Sequence, residues 1–126
     1  MNENNKMIAN ALSLRTPQRK SLDLLEQIVQ KIDLKPDADL KEALAAIHEI
    51  APKIEDFERK FPSVCFALAT GVGKTRLMGA FIAYLHLEKG IKNFFVLAPN
   101  LTIYNKLIAD FTPNTPKYVF PGIQEF

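Results

Sequence analysis

ALATGVGKTRLMG, residues 67–79, runs from an apolar segment through two glycines into a Lys-Thr pair and a second apolar pattern. A strand, a tight loop and a helix in that order make a frame that can hold a phosphate chain. Successive backbone N–H groups, a helix N-terminus and one flexible cation supply the binding. Gly71 and Gly73 let the backbone curl and come close, because no Cβ intervenes. In such a loop Lys74 reaches the β- and γ-phosphates, the Thr75 hydroxyl ligates Mg²⁺, and Val72 fills a position where only the backbone matters. The general pattern places a glycine or alanine five residues before the last glycine, and Leu68 stands there instead. A plain strand-to-helix turn explains the glycines. It does not require Lys-Thr after the second one. The stretch therefore predicts nucleotide binding.

The flanks extend this pattern. SVCFALAT, 63–70, is an almost continuous apolar run, as in a strand covered on both faces. A helix follows from Lys74 to Lys89, with Leu77, Met78, Phe81, Ile82 and Leu85 as its inner stripe and Gly90 as its stop. NFFVLAP, 93–99, reads as a second buried strand. Residues 101–111 read as a helix with Leu101, Tyr104, Leu107, Ile108 and Phe111 inward, and KYVF, 117–120, as a weak third strand. Alternating strands and helices point to an α/β fold with a parallel sheet. Ligands in such sheets bind beyond the carboxyl ends of the strands, where the Gly-rich loop would lie.

Upstream, residues 1–14 read as an arm. Thr16-Pro17 opens a helix whose buried face carries Leu22, Leu25, Ile28, Val29 and Ile32. After the break DLKPDAD, Asp39 caps a second helix, with Leu40, Ala43, Leu44, Ile47 and Ile50 on one face. APKIEDFERKFP, 51–62, is a charged connector. The natural division is 1–62, arm and helices, and 63–126, the nucleotide-binding part.

Bulk properties bound the rest. The 126 residues are 48% hydrophobic and 24% charged, with a formal net charge of +2, too small to argue for nucleic acid or membrane by itself. The one cysteine, Cys65, reads as a small buried hydrophobe in a reducing interior. His48 and His86 form no cluster with metal-ligand spacing. With no signal-peptide pattern and no apolar stretch near ~20 residues, the chain reads as cytoplasmic.

LATGVGKTRLMGAFI, 68–82, resembles motif I of the superfamily 2 helicases and translocases, and the nearest likeness is the Res subunit of type III restriction enzymes. That family often has Ala-Thr-Gly-x-Gly-Lys-Thr, so Leu68 fits and the working core becomes Ala69, Thr70, Gly71, Val72, Gly73, Lys74 and Thr75. LRTPQRKSLDLL, 14–25, resembles the upstream Arg-x-x-Gln segment, which implies that Gln18 recognises adenine; the other reading of Gln18 is a polar first-turn residue. An amide can pair with N6 and N7 of adenine together. FFVLAPNLTIYNKLI, 94–108, resembles motif Ia, which implies that Pro99, Asn100, Leu101 and Thr102 contact the backbone of a nucleic-acid strand. The alternative for Asn100 is a helix cap.

The resemblance implies a partial RecA-like three-layer parallel sheet preceded by a helical segment. It implies ATP and Mg²⁺ as ligands, DNA as substrate and a modification (methylase) subunit as partner. The family's Asp-Glu pair, second lobe and nuclease are not seen after Phe111, so the chain reads as an N-terminal fragment that binds nucleotide but hydrolyses little. A sheet of about three strands leaves an open edge, which predicts marginal stability or self-association. Two other classes stay open. One is a different small P-loop NTPase. The other is a non-catalytic binding module that uses its helical half.

Overall fold

The computed structural model describes residues 1–35 and 37–123. Pro36, within the expected break, and residues 124–126, which include Glu125, lie outside them. Among the described residues five helices occur: α1 (Glu3–Ala11), α2 (Thr16–Lys31), α3 (Leu40–Ile50), α4 (Lys74–Lys89) and α5 (Leu101–Asp110). They belong to two compact units, one of Met1–Leu22 with Ala69–Phe126 and one of Asp23–Leu68.

In the first unit α1 replaces the expected arm. The Asn2 side chain accepts a hydrogen bond from the Asn5 N–H at 2.9 Å, and Glu3 lies in the first turn. Ile8, Ala9 and Leu12 are buried, and α1 packs on α4. The polar start that suggested an arm is a fastening. The Asn2 and Asn4 amides both donate to Glu88 Oε1, at 2.7 and 2.8 Å, near the C-terminal end of α4.

Helix α4 has the bounds its sequence suggests, but a different face is inward. Leu77, Gly79, Ala80, Ala83 and Tyr84 are buried. Of the expected stripe Leu77 is buried, whereas Met78, Phe81, Ile82 and Leu85 are only partly covered. Almost every face of this helix is apolar, so periodicity alone cannot choose among them. The small residues do, because they let neighbouring chain approach. Val119 sits against Gly79, where an added Cβ would lie 2.9 Å from the Val119 Cβ. Gly90 ends α4 in the left-handed region at φ 66°, and its N–H donates to the His86 carbonyl.

In the second unit, α3 and the part of α2 beyond Leu22 enclose a core of Ile28, Ala43, Ile47 and Phe57. Leu24, Leu40, Leu44, Ile50, Val64 and Phe66 pack around it. Asp39 caps α3 as expected, accepting from the Lys41 and Glu42 N–H groups. Cys65 is exposed, against its reading as a buried hydrophobe.

The expectation of an α/β fold with a parallel sheet is overturned. Residues 63–70, 93–99 and 117–120 form no strand; the described residues are helical or irregular throughout. A strand satisfies its N–H and C=O groups only through a neighbouring strand. Without a ladder, the alternation of the 93–99 run cannot bury both faces: Phe95 is 88% and Leu97 76% exposed. Helix α5 likewise buries Leu107 and Asp110, while the expected inward residues Leu101, Tyr104 and Ile108 are exposed. No described helix is long and apolar enough to cross a membrane.

Gly79→Ala tests the packing on α4. At an open helical position this change stabilises by about 1 kcal/mol. Against Val119 it should destabilise by about 1–3 kcal/mol. Thermal unfolding of the two proteins checks the sign, and a rise in the midpoint would contradict the close approach.

Candidate nucleotide-binding site

The 69–75 stretch forms a turn that leads directly into α4. Gly71 and Gly73 both have positive φ, 83° and 88°, a region that L side chains enter only at a cost. Gly73 is the N-cap of α4 and carries no side chain to cap it. The first N–H groups of the helix, which have no intrahelical acceptor, are thus left for an external one. An anion placed there also gains from the helix dipole.

The loop is held from α2. Gln18 is 2% exposed. Its Nε2 donates to the Gly73 carbonyl at 2.8 Å, and its Oε1 accepts from the Arg15 N–H at 2.8 Å. The second bond follows from spacing. Arg15 immediately precedes α2 and Gln18 is the third helical residue, the arrangement of a capping box. One amide thereby closes the start of α2 and fastens the turn before α4. The Gly73 carbonyl also accepts from the Leu77 N–H at 3.1 Å, so both its lone pairs are used. A Cβ at Gly73 would lie 2.5 Å from Gln18 Nε2, so the Gln18 amide would have to shift. Arg15 reaches the Gly71 carbonyl at 3.5 Å, a long contact, and Arg76 donates to the Leu12 carbonyl at 3.2 Å.

Beside the loop lies an open cleft of ≈ 720 Å³. The loop contributes Thr70, Gly71, Gly73, Lys74 and Thr75 to it. Arg76, Lys106 and Lys117 add positive charge, and Asp110 is the one carboxylate in the lining. The volume is that of a site for a small ligand or cofactor.

The structure therefore brings together Gln18, Gly73 and the Lys74-Thr75 pair. It does not bring in the 99–102 stretch. Pro99, Asn100, Leu101 and Thr102 are exposed and stand outside the cleft lining. Asn100 caps α5, accepting from the Ile103 N–H at 2.9 Å. Sequence reasoning missed Lys106, Asp110 and Lys117. They follow no local pattern and reach the cleft only because α5 and the chain after it pack there. Among the described residues no group of three or more His, Cys, Asp or Glu could hold a metal ion. Any Mg²⁺ here would depend on Thr75, the lone Asp110 and a ligand's own phosphates, a pattern common for that ion.

Gln18→Ala should cost about 1–3 kcal/mol, for two hydrogen bonds of a buried amide. Gly73→Ala should cost at least ~1 kcal/mol for its φ alone, plus the clash with Gln18. In the double variant the clash disappears. Urea unfolding should therefore show a double-variant loss smaller than the sum of the single losses; strict additivity would contradict the contact.

The model of one protein family, described as type III restriction enzyme, res subunit, matches residues 12–125. No curated protein and no solved structure matches the chain.

Proposed function

The chain belongs to the type III restriction enzyme res-subunit family, and from that premise we propose that its 69–75 loop binds the phosphates of ATP with Mg²⁺. The observation that carries the reading is the preformed turn. Two positive-φ glycines, an uncapped helix start and Lys74 converge on one cleft. Each element is suited to an anion; a simple connection would explain the glycines but does not require Lys74-Thr75 after them.

In this reading the N–H groups at the start of α4 hold phosphate oxygens and Lys74 neutralises their charge. Mg²⁺, when bound, screens the phosphate charge and polarises the terminal phosphoryl group. Thr75 is its proposed protein ligand. Lys74 and Thr75 are thus the residues assigned to the chemistry. Thr70, Gly71, Val72 and Gly73 contribute backbone. Turnover by this chain should be low, because hydrolysis needs a carboxylate that positions water and the cleft offers only Asp110, which is 4% exposed.

Gln18 has a second proposed role. Its amide is 2% exposed and bonded to Arg15 and Gly73, so reading an adenine edge would require it to turn away from those partners when nucleotide binds. Preference for ATP over GTP is expected. Equal affinity would remove this role and leave the phosphate site intact.

As a helicase-like res-subunit region, the chain is proposed to act on DNA in a larger assembly. The exposed Pro99, Asn100, Leu101 and Thr102 would touch a strand backbone, and a modification subunit would be the protein partner. The location proposed is the cytoplasm, where such systems meet their DNA.

Lys74→Ala tests the core of the reading. Losing one charged contact to phosphate costs about 1.5–3 kcal/mol, so the Kd for ATP should rise about ten- to a hundredfold. Calorimetric titration measures it. Equal affinities for variant and parent would refute the loop as the binding site.

A further inference from the structure

Two lysines outside the loop deepen this reading and depend on it. We propose that Lys106 and Lys117 form a second cationic wall that holds the distal phosphates, so that the cleft selects nucleotides by their number of phosphates.

Both side chains line the same cleft as Lys74 and Thr75. Both residues are exposed, and among the described residues neither forms an ion pair. Arg76, by contrast, is already bonded to the Leu12 carbonyl. The two lysines come from different segments, one from α5 and one from the chain that follows it.

That following chain is pinned. The Val119 N–H donates to the Asp110 carbonyl at 2.8 Å, and Val119 lies against Gly79 of α4. Phe120 meets Phe111 and Tyr118 edge-on, with ring centroids 5.7 Å apart in each pair. Val119 and Phe120 are buried two and three residues after Lys117, which is itself exposed. Lys106 sits one helical turn before Asp110, on the part of α5 that meets the cleft.

Charge sets the consequence. Lys74, Arg76, Lys106 and Lys117 face one carboxylate, Asp110. Asp110 opposes a bare anion but suits one carrying Mg²⁺. Attraction between charges falls with distance and is screened over about 10 Å in ordinary salt. A second wall therefore rewards a chain long enough to approach it. A monophosphate occupying the loop would gain little.

The test measures Kd for ATP, ADP and AMP with Mg²⁺ on the whole chain, on Lys106→Gln/Lys117→Gln, on Lys106→Arg/Lys117→Arg and on Lys74→Ala. Circular dichroism confirms equal helix content. The Gln pair should weaken ATP about tenfold or more, as expected for a lost charged contact, with AMP changed less than about twofold. The Arg pair should keep most of the ATP affinity. Unchanged ATP binding by the Gln pair, with Lys74→Ala still impaired, overturns the second wall and leaves the loop reading standing. An equal loss for ATP and AMP overturns the phosphate-counting role. No nucleotide binding by the parent chain overturns both.

Discussion

The amide of Gln18 joins two helix starts, and the candidate site depends on that junction. Its oxygen closes the first turn of α2 on the Arg15 N–H, and its nitrogen fixes the Gly73 carbonyl at the start of α4. Burial strengthens both bonds, since water does not compete for a side chain that is 2% exposed. The bonds also exclude a Cβ from Gly73. Glycine enters the left-handed region without strain but loses much freedom on ordering, and the Gln18 amide supplies the restraint at Gly73. The loop is therefore restrained by the protein's own hydrogen bonds.

Much of this is visible in the residues. Gly73-Lys74 and Lys89-Gly90 mark the two ends of α4, and the helix has those bounds. Asp39 caps α3, as its position suggests, and Ile28 of α2 meets Ala43 and Ile47 of α3 in one core. Arg-x-x-Gln points to Gln18, although the pattern alone suggests base recognition, whereas the structure also gives the side chain to the protein's own backbone. That bond is invisible in a sequence, because it needs Gly73 as the partner, 55 residues away.

The failures have physical causes. Residues 63–70 and 93–99 have strand composition, but a strand exists only with a neighbour, and no local signal states whether one is present. Helix α1 was hidden because its stabilisation comes from α4 and from asparagines bonded to Glu88, not from a strong apolar stripe. The face of α4 was misassigned because large residues suggest burial, whereas close packing favoured Gly79, Ala80 and Ala83. Lys106, Asp110 and Lys117 line the cleft only through the packing of α5 and the chain after it.

Membership of the res-subunit family places the chain among helicase-like proteins. The most direct measurement on the loop is a titration of the ¹⁵N-labelled chain with Mg–ATP, followed by amide resonances. The largest shifts should fall on residues 70–76, with smaller ones at 106 and 117. Saturable shifts elsewhere, with the amides of Gly71, Gly73, Lys74 and Thr75 unmoved, would contradict the account.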